Sequence, residues 1–140
     1  MLSYLKGAGS SLIVAIIIYV YFIINLPEHS GMNLYHKGIA VIFVLNYLGC
    51  LIGWGLRNIL LRYDINNFLV GILLYTILGA VFVFILSAVI PTHSILYLMA
   101  ITGSVVYYLV QNEKVSQWFI ITLGPIIALV FYIHFSSINV

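Results

Sequence analysis

Five apolar stretches, each 17 to 23 residues long and free of Asp, Glu, Lys and Arg, constrain what this chain can fold into. They run from about Ala8 to Leu26, Gly38 to Leu56, Phe68 to Ile90, Ser94 to Val110 and Trp118 to Phe135. At 1.5 Å per residue, a helix of such a length matches the roughly 30 Å hydrocarbon core of a bilayer. Their Ile, Val, Phe and Tyr would favour strands in water. In lipid every backbone amide must be bonded within the protein, and a helix achieves this inside one segment. A membrane barrel would alternate polar and apolar residues, and these stretches do not. The expectation is an all-α integral membrane protein: a bundle of five transmembrane helices forming a single domain over residues 1–140.

Only 6% of the residues are charged, far below the roughly one quarter that coats a soluble domain. Five Lys and Arg against three Asp and Glu are also too sparse for a nucleic-acid footprint. Cys50 is the single cysteine, which excludes a disulfide within one chain and a thiol metal cluster. Its place inside the second stretch suggests a buried structural thiol rather than a lipid-modified one. The first stretch ends Asn25-Leu26-Pro27-Glu28, without the small residues that signal peptidase needs, so it reads as a retained span.

The tightest connection is Ile90-Pro91-Thr92-His93-Ser94. Pro91 can stop the third helix, and Thr92 or Ser94 can cap the fourth. The alternative is a re-entrant segment over 94–110, leaving four spans. Charge placement favours five. Lys6, Arg57, Arg62 and Lys114 then share one side and Lys37 has the other, which puts the N-terminus in the cytoplasm and the C-terminus outside. Tyr4, Tyr35, Tyr63, Tyr107, Tyr108 and Trp118 fall near span ends, where aromatic rings favour the interface. Tyr19, Tyr47 and Tyr75 lie deeper and need internal partners for their hydroxyls.

Small residues recur at four-residue spacing, which places them on one helical face. Gly7, Ser11 and Ala15 do so in the first stretch, and Gly49 and Gly53 form a GxxxG in the second. Gly71, Tyr75 and Gly79 follow in the third, Ala100 and Ser104 in the fourth, and Gly124 and Ala128 in the fifth, where Pro125 should bend the helix. Gly49, Gly53, Gly71, Gly79 and Gly124 are therefore the candidate packing face, chiefly for contacts within one bundle. A homo-oligomer contact through the GxxxG of the second stretch is the sharper reading.

Chemistry is thinly represented. Asn46 is the most polar residue well inside a stretch, and with Tyr47, Tyr75 and Ser104 it makes up the candidate intramembrane polar contacts. An interhelical hydrogen bond, for instance from Asn46 to a deep tyrosine, is the simpler role; a solute contact is the functional one. No carboxylate or histidine lies mid-span, as proton-coupled transport requires. His29, His36, His93 and His134 gather with Glu28 near the outer face, though without the ligand spacing of a zinc site. Neither a phosphate loop nor a hydrolytic triad is present. Arg57 to Asp64 reads as the longest inner loop, with Asp64 or Asn66 capping the third helix.

These features point away from an enzyme and from any cofactor. They suggest a small multipass protein of a bacterial cell membrane, judged by its short loops and its Ile, Tyr and Asn content. It would act by binding other membrane components, as an accessory, immunity-type or regulatory subunit, with the lipid bilayer, another membrane protein or a second copy as its partners. The alternative is a small oligomeric transporter or channel for a small solute or ion.

Overall fold

The structure is a computed structural model that describes residues 2–25, 35–65, 67–88, 94–112 and 117–137. Among them the secondary structure is five helices without strands: α1 (Leu2–Ile24), α2 (Tyr35–Arg62), α3 (Phe68–Ser87), α4 (Ser94–Asn112) and α5 (Gln117–Ser137). All five are long and apolar enough to cross a membrane. The segment over 94–110, for which a re-entrant form was the alternative, lies within the unbroken 19-residue helix α4.

The helices overrun the apolar stretches where charge, not backbone, marked the boundary. α1 begins at Leu2 and takes in Lys6, and α2 continues through Arg57 to Arg62. The stretch from Arg57 that was expected to be a loop is thus the last turns of α2. Arginine and leucine are good helix formers, and nothing between residues 57 and 62 removes an amide or demands a turn. α3 stops at Ser87, short of Ile90; residues 89–93, including Pro91, lie outside the described residues.

The α2–α3 corner corrects the capping expectation. Asp64 adopts a left-handed backbone, φ 53°, and terminates α2. Its N–H donates to the Leu61 carbonyl at 3.3 Å, and the N–H of Ile65 donates to the Leu60 carbonyl at 3.0 Å, the paired bonds of a Schellman cap. Asn67 caps α3 instead, its side chain accepting from the amides of Leu69 (3.0 Å) and Val70 (3.4 Å). A cap of this kind contributes about 1 kcal/mol. Asn66 is outside the described residues.

Helix α1 sits at the centre. Half of its span is buried, against 22% or less in every other helix, and it packs on α2, α4 and α5. Its first half is a run of small residues, Gly7 to Ser11, all buried. Small side chains let neighbouring backbones come close, which is how apolar helices gain dispersion contact when no hydrophobic drive separates them from their surroundings. The α1–α5 crossing is the tightest case. A Cβ on Gly9 would collide with the Ile120 carbonyl, and one on Gly124 would lie 2.7 Å from the Gly9 carbonyl oxygen. α3 meets α4 in the same way, Gly79 lying against the backbone of Ala100.

Several serine and threonine hydroxyls bond back to their own preceding turn. Ser10 donates to the Gly7 carbonyl at 2.8 Å, Thr76 to Ile72 at 2.9 Å and Thr102 to Leu98 at 2.6 Å. This back-bonding lets polar residues sit in an apolar helix without an external partner. Outward faces carry large apolar side chains, among them Leu69, Leu73, Phe84, Leu129 and Ile133.

Candidate functional site

Two neighbours in sequence, α2 and α3, touch little in space. They are joined mid-helix, where the Tyr75 hydroxyl donates to the Gly53 carbonyl at 2.7 Å. Above that bond they part, leaving a slot backed by α4 and by Ser11 and Ala15 of α1. The slot runs from Ile42 to Gly53 on α2, from Tyr75 to Leu86 on α3 and from Leu96 to Tyr107 on α4. Each interval covers twelve residues, or eleven steps, so the slot lies parallel to the helices and is about 16 Å long at 1.5 Å per step. Its cavity volume is ≈ 90 Å³. Phe82 leans from α3 toward Gly49 of α2, with ring atoms 3.7 Å from where a Cβ on that glycine would stand.

Three of the four candidate polar residues line this slot: Asn46, Tyr75 and Ser104. Each is engaged within the protein. Asn46 Nδ2 donates to the Ala8 carbonyl at 3.0 Å, and Ser11 Oγ donates to Asn46 Oδ1 at 2.8 Å. The partner of Asn46 is therefore α1 rather than a deep tyrosine. Gly7 to Ser11 are small enough to bring the α1 backbone within reach of its amide. Ser104 Oγ donates to the Tyr75 carbonyl at 2.6 Å and to its own helix at Ile101, 2.9 Å. Tyr47, the fourth, accepts through its backbone carbonyl from the Tyr4 hydroxyl at 3.0 Å, and its ring packs on Phe43.

Of the candidate packing glycines, Gly53 faces the rings of Tyr75 and Tyr107, and Gly71 faces the Tyr108 ring. Gly79 meets α4 and Gly124 meets α1, whereas Gly49 opens on the slot. No second copy is needed to occupy Gly53 of the GxxxG.

Tyr107 departs from expectation. Read as an interfacial residue, it is 1% exposed and closes the lower end of the slot, its ring held between Gly7 of α1 and Gly53 of α2. The space it fills exists because both flanking positions lack a side chain. Among the described residues its hydroxyl makes no hydrogen bond of good geometry, nor does either amide atom of Gln111, its neighbour one turn further along α4 and itself only 9% exposed. Most buried polar atoms are paired, so three orphans together stand out. Neither residue type nor position along the stretch gave a signal for them.

Cys50 is buried on the slot wall. His134 is exposed with its ring edge-on to Phe135 at 5.6 Å. Glu28, His29 and His93, and the side chain of His36, lie outside the described residues. Among the described residues no three His, Cys, Asp or Glu come together as metal ligands would. Chemically the slot offers methyl, methylene and ring surface, with the side chains of Ser11, Asn46, Tyr75 and Ser104 bonded to other protein atoms. No family model, curated protein or solved structure matches the chain.

Proposed function

We propose that this chain is a small integral membrane protein that crosses the bilayer five times, N-terminus in the cytoplasm, and acts without catalysis by holding another membrane component. The observation that carries the reading is the slot between α2 and α3, a concave, mainly apolar site of the sort that ligands occupy between helices. Large apolar side chains on the outward faces support residence in lipid, since a water-facing surface would be charged. The excess of Lys and Arg on one set of connections supports the orientation. A role as an accessory, immunity-type or regulatory subunit of a cell membrane fits such a binder. A transporter or channel draws less support, because Asn46, Ser104 and Tyr75 have their polar atoms bonded inside the protein.

Two measurements test this. A phosphatase or fluorescent reporter fused after Val140 should be active as an external fusion, and one fused at the N-terminus as a cytoplasmic one. A cytoplasmic C-terminus would remove five crossings. A photo-crosslinking amino acid placed at Phe82 in cells should capture a discrete membrane component, while the same residue at Leu129 on the outward face of α5 should not. Equal, unselective labelling from both positions would remove the binding role.

A further inference from the structure

We infer that the component held in the slot is one acyl chain of a bilayer glycerophospholipid, inserted from the leaflet at the end where α3 finishes and α4 begins. The inference rests on the proposed binding role and names its ligand. Width decides between the occupants a membrane can supply. Averaged over a length of about 16 Å, a cavity of ≈ 90 Å³ open to water-sized atoms is only about 5 Å wide. A helix with its side chains is about 10–12 Å across and does not enter. A single file of methylenes, about 4 Å thick by its carbon contact distance, does. Length agrees, because one leaflet contributes about half of a roughly 30 Å core.

The ends of the slot set the direction of entry. At the end nearer the α2–α3 corner it is shut by the Tyr75–Gly53 bond and by the buried ring of Tyr107. At the other end it reaches Leu86, one residue from the end of α3, and Leu96, two residues into α4. Under the proposed topology that end faces the outer leaflet. The chemistry of the wall agrees with a hydrocarbon guest. Ser11, Asn46, Tyr75 and Ser104 are bonded to protein atoms and offer a solute little, while Leu78, Val83 and Met99 supply dispersion contact. A polar solute would lose its hydration without replacement.

The test uses the whole protein. Extracted in a mild non-ionic detergent and examined by native mass spectrometry, it should carry one glycerophospholipid per chain. In vesicles of phosphatidylethanolamine and phosphatidylglycerol, a phosphatidylglycerol with a diazirine near the end of its acyl chain should label the slot walls of α3 and α4 at least tenfold above the outward face of α5. Gly49→Leu, which places a branched side chain across the slot beside Phe82, should reduce both retention and labelling tenfold or more while raising the melting temperature of lipid-stripped protein. Gly49→Ala, whose methyl meets nothing nearer than 3.7 Å, should fold as the parent does and give a smaller reduction. Labelling no stronger than on α5, which is annular lipid only, overturns the assignment. So does retention that Gly49→Leu leaves unchanged. If a peptide or protein is captured from Phe82 while no lipid is retained, the acyl chain is wrong and the binding role stands. Capture of nothing removes both.

Discussion

Gly9→Ala should destabilise the protein by about 3 kcal/mol, and Gly9→Leu should prevent the bundle from closing. The added methyl would overlap the Ile120 carbonyl, and the reciprocal change at Gly124 would press on the Gly9 carbonyl at 2.7 Å. A flexible side chain could move aside, but these are backbone atoms of two packed helices. Relief requires α1 and α5 to separate along much of their contact, with loss of the buried surface of Leu12, Ile16 and Ala128. The gain in helix propensity on leaving glycine, about 1 kcal/mol, is too small to compensate. Gly55 provides the contrast, since nothing lies within 4 Å of a Cβ there. Gly55→Ala should be neutral or stabilising by up to about 1 kcal/mol. Unfolding in mixed micelles titrated with a denaturing detergent reads both, and a Gly9→Ala protein as stable as the parent would refute the backbone contact.

The second large effect is a change of sign between two chemically identical substitutions. Tyr107→Phe removes a buried hydroxyl that makes no hydrogen bond of good geometry, and leaving such a group unsatisfied costs about 1–3 kcal/mol. The variant should therefore be more stable than the parent. Tyr75→Phe removes a hydroxyl bonded at 2.7 Å to the Gly53 carbonyl in a fully buried setting, and should be less stable by about 1 kcal/mol. Truncating either ring is a different matter. Tyr107→Ala opens a cavity between Gly7 and Gly53 and should lose about 3–5 kcal/mol, as large aromatic truncations do. The same micelle titration applies. Destabilisation by Tyr107→Phe would show that its hydroxyl does bond, the side chain of Gln111 beside it being the nearest partner.

Much of the architecture is legible in the chain because apolar length and the absence of charge are one-dimensional properties. Five helices of crossing length follow from them directly. Helix ends follow less well, since hydropathy marks where lipid would stop and hydrogen bonding continues past it, as from Arg57 to Arg62. Which helix is central is not legible, because each stretch carries small residues at similar spacing. Only in three dimensions does the run from Gly7 to Ser11 emerge as the inner one. The candidate polar residues are chosen by type, which cannot reveal that Asn46 would find Ser11 or that Tyr107 would be drawn inward between two glycines. The slot itself has no sequence signature, since it is defined by two helices failing to touch.

The central position of α1 has a consequence for synthesis. Gly9 is made 115 residues before Gly124, the residue that covers it. At about 5–20 residues per second, the first helix waits roughly 6 to 23 seconds for its last neighbour. During that interval its Gly9 face is open to whatever surrounds it, and the chain cannot settle by adding one finished layer to another. A chain truncated before Gln117 keeps α2 and α4 on Gly7, Ala8 and Ser11 but leaves Gly9 without the α5 backbone that covers it, a bare patch on the central helix.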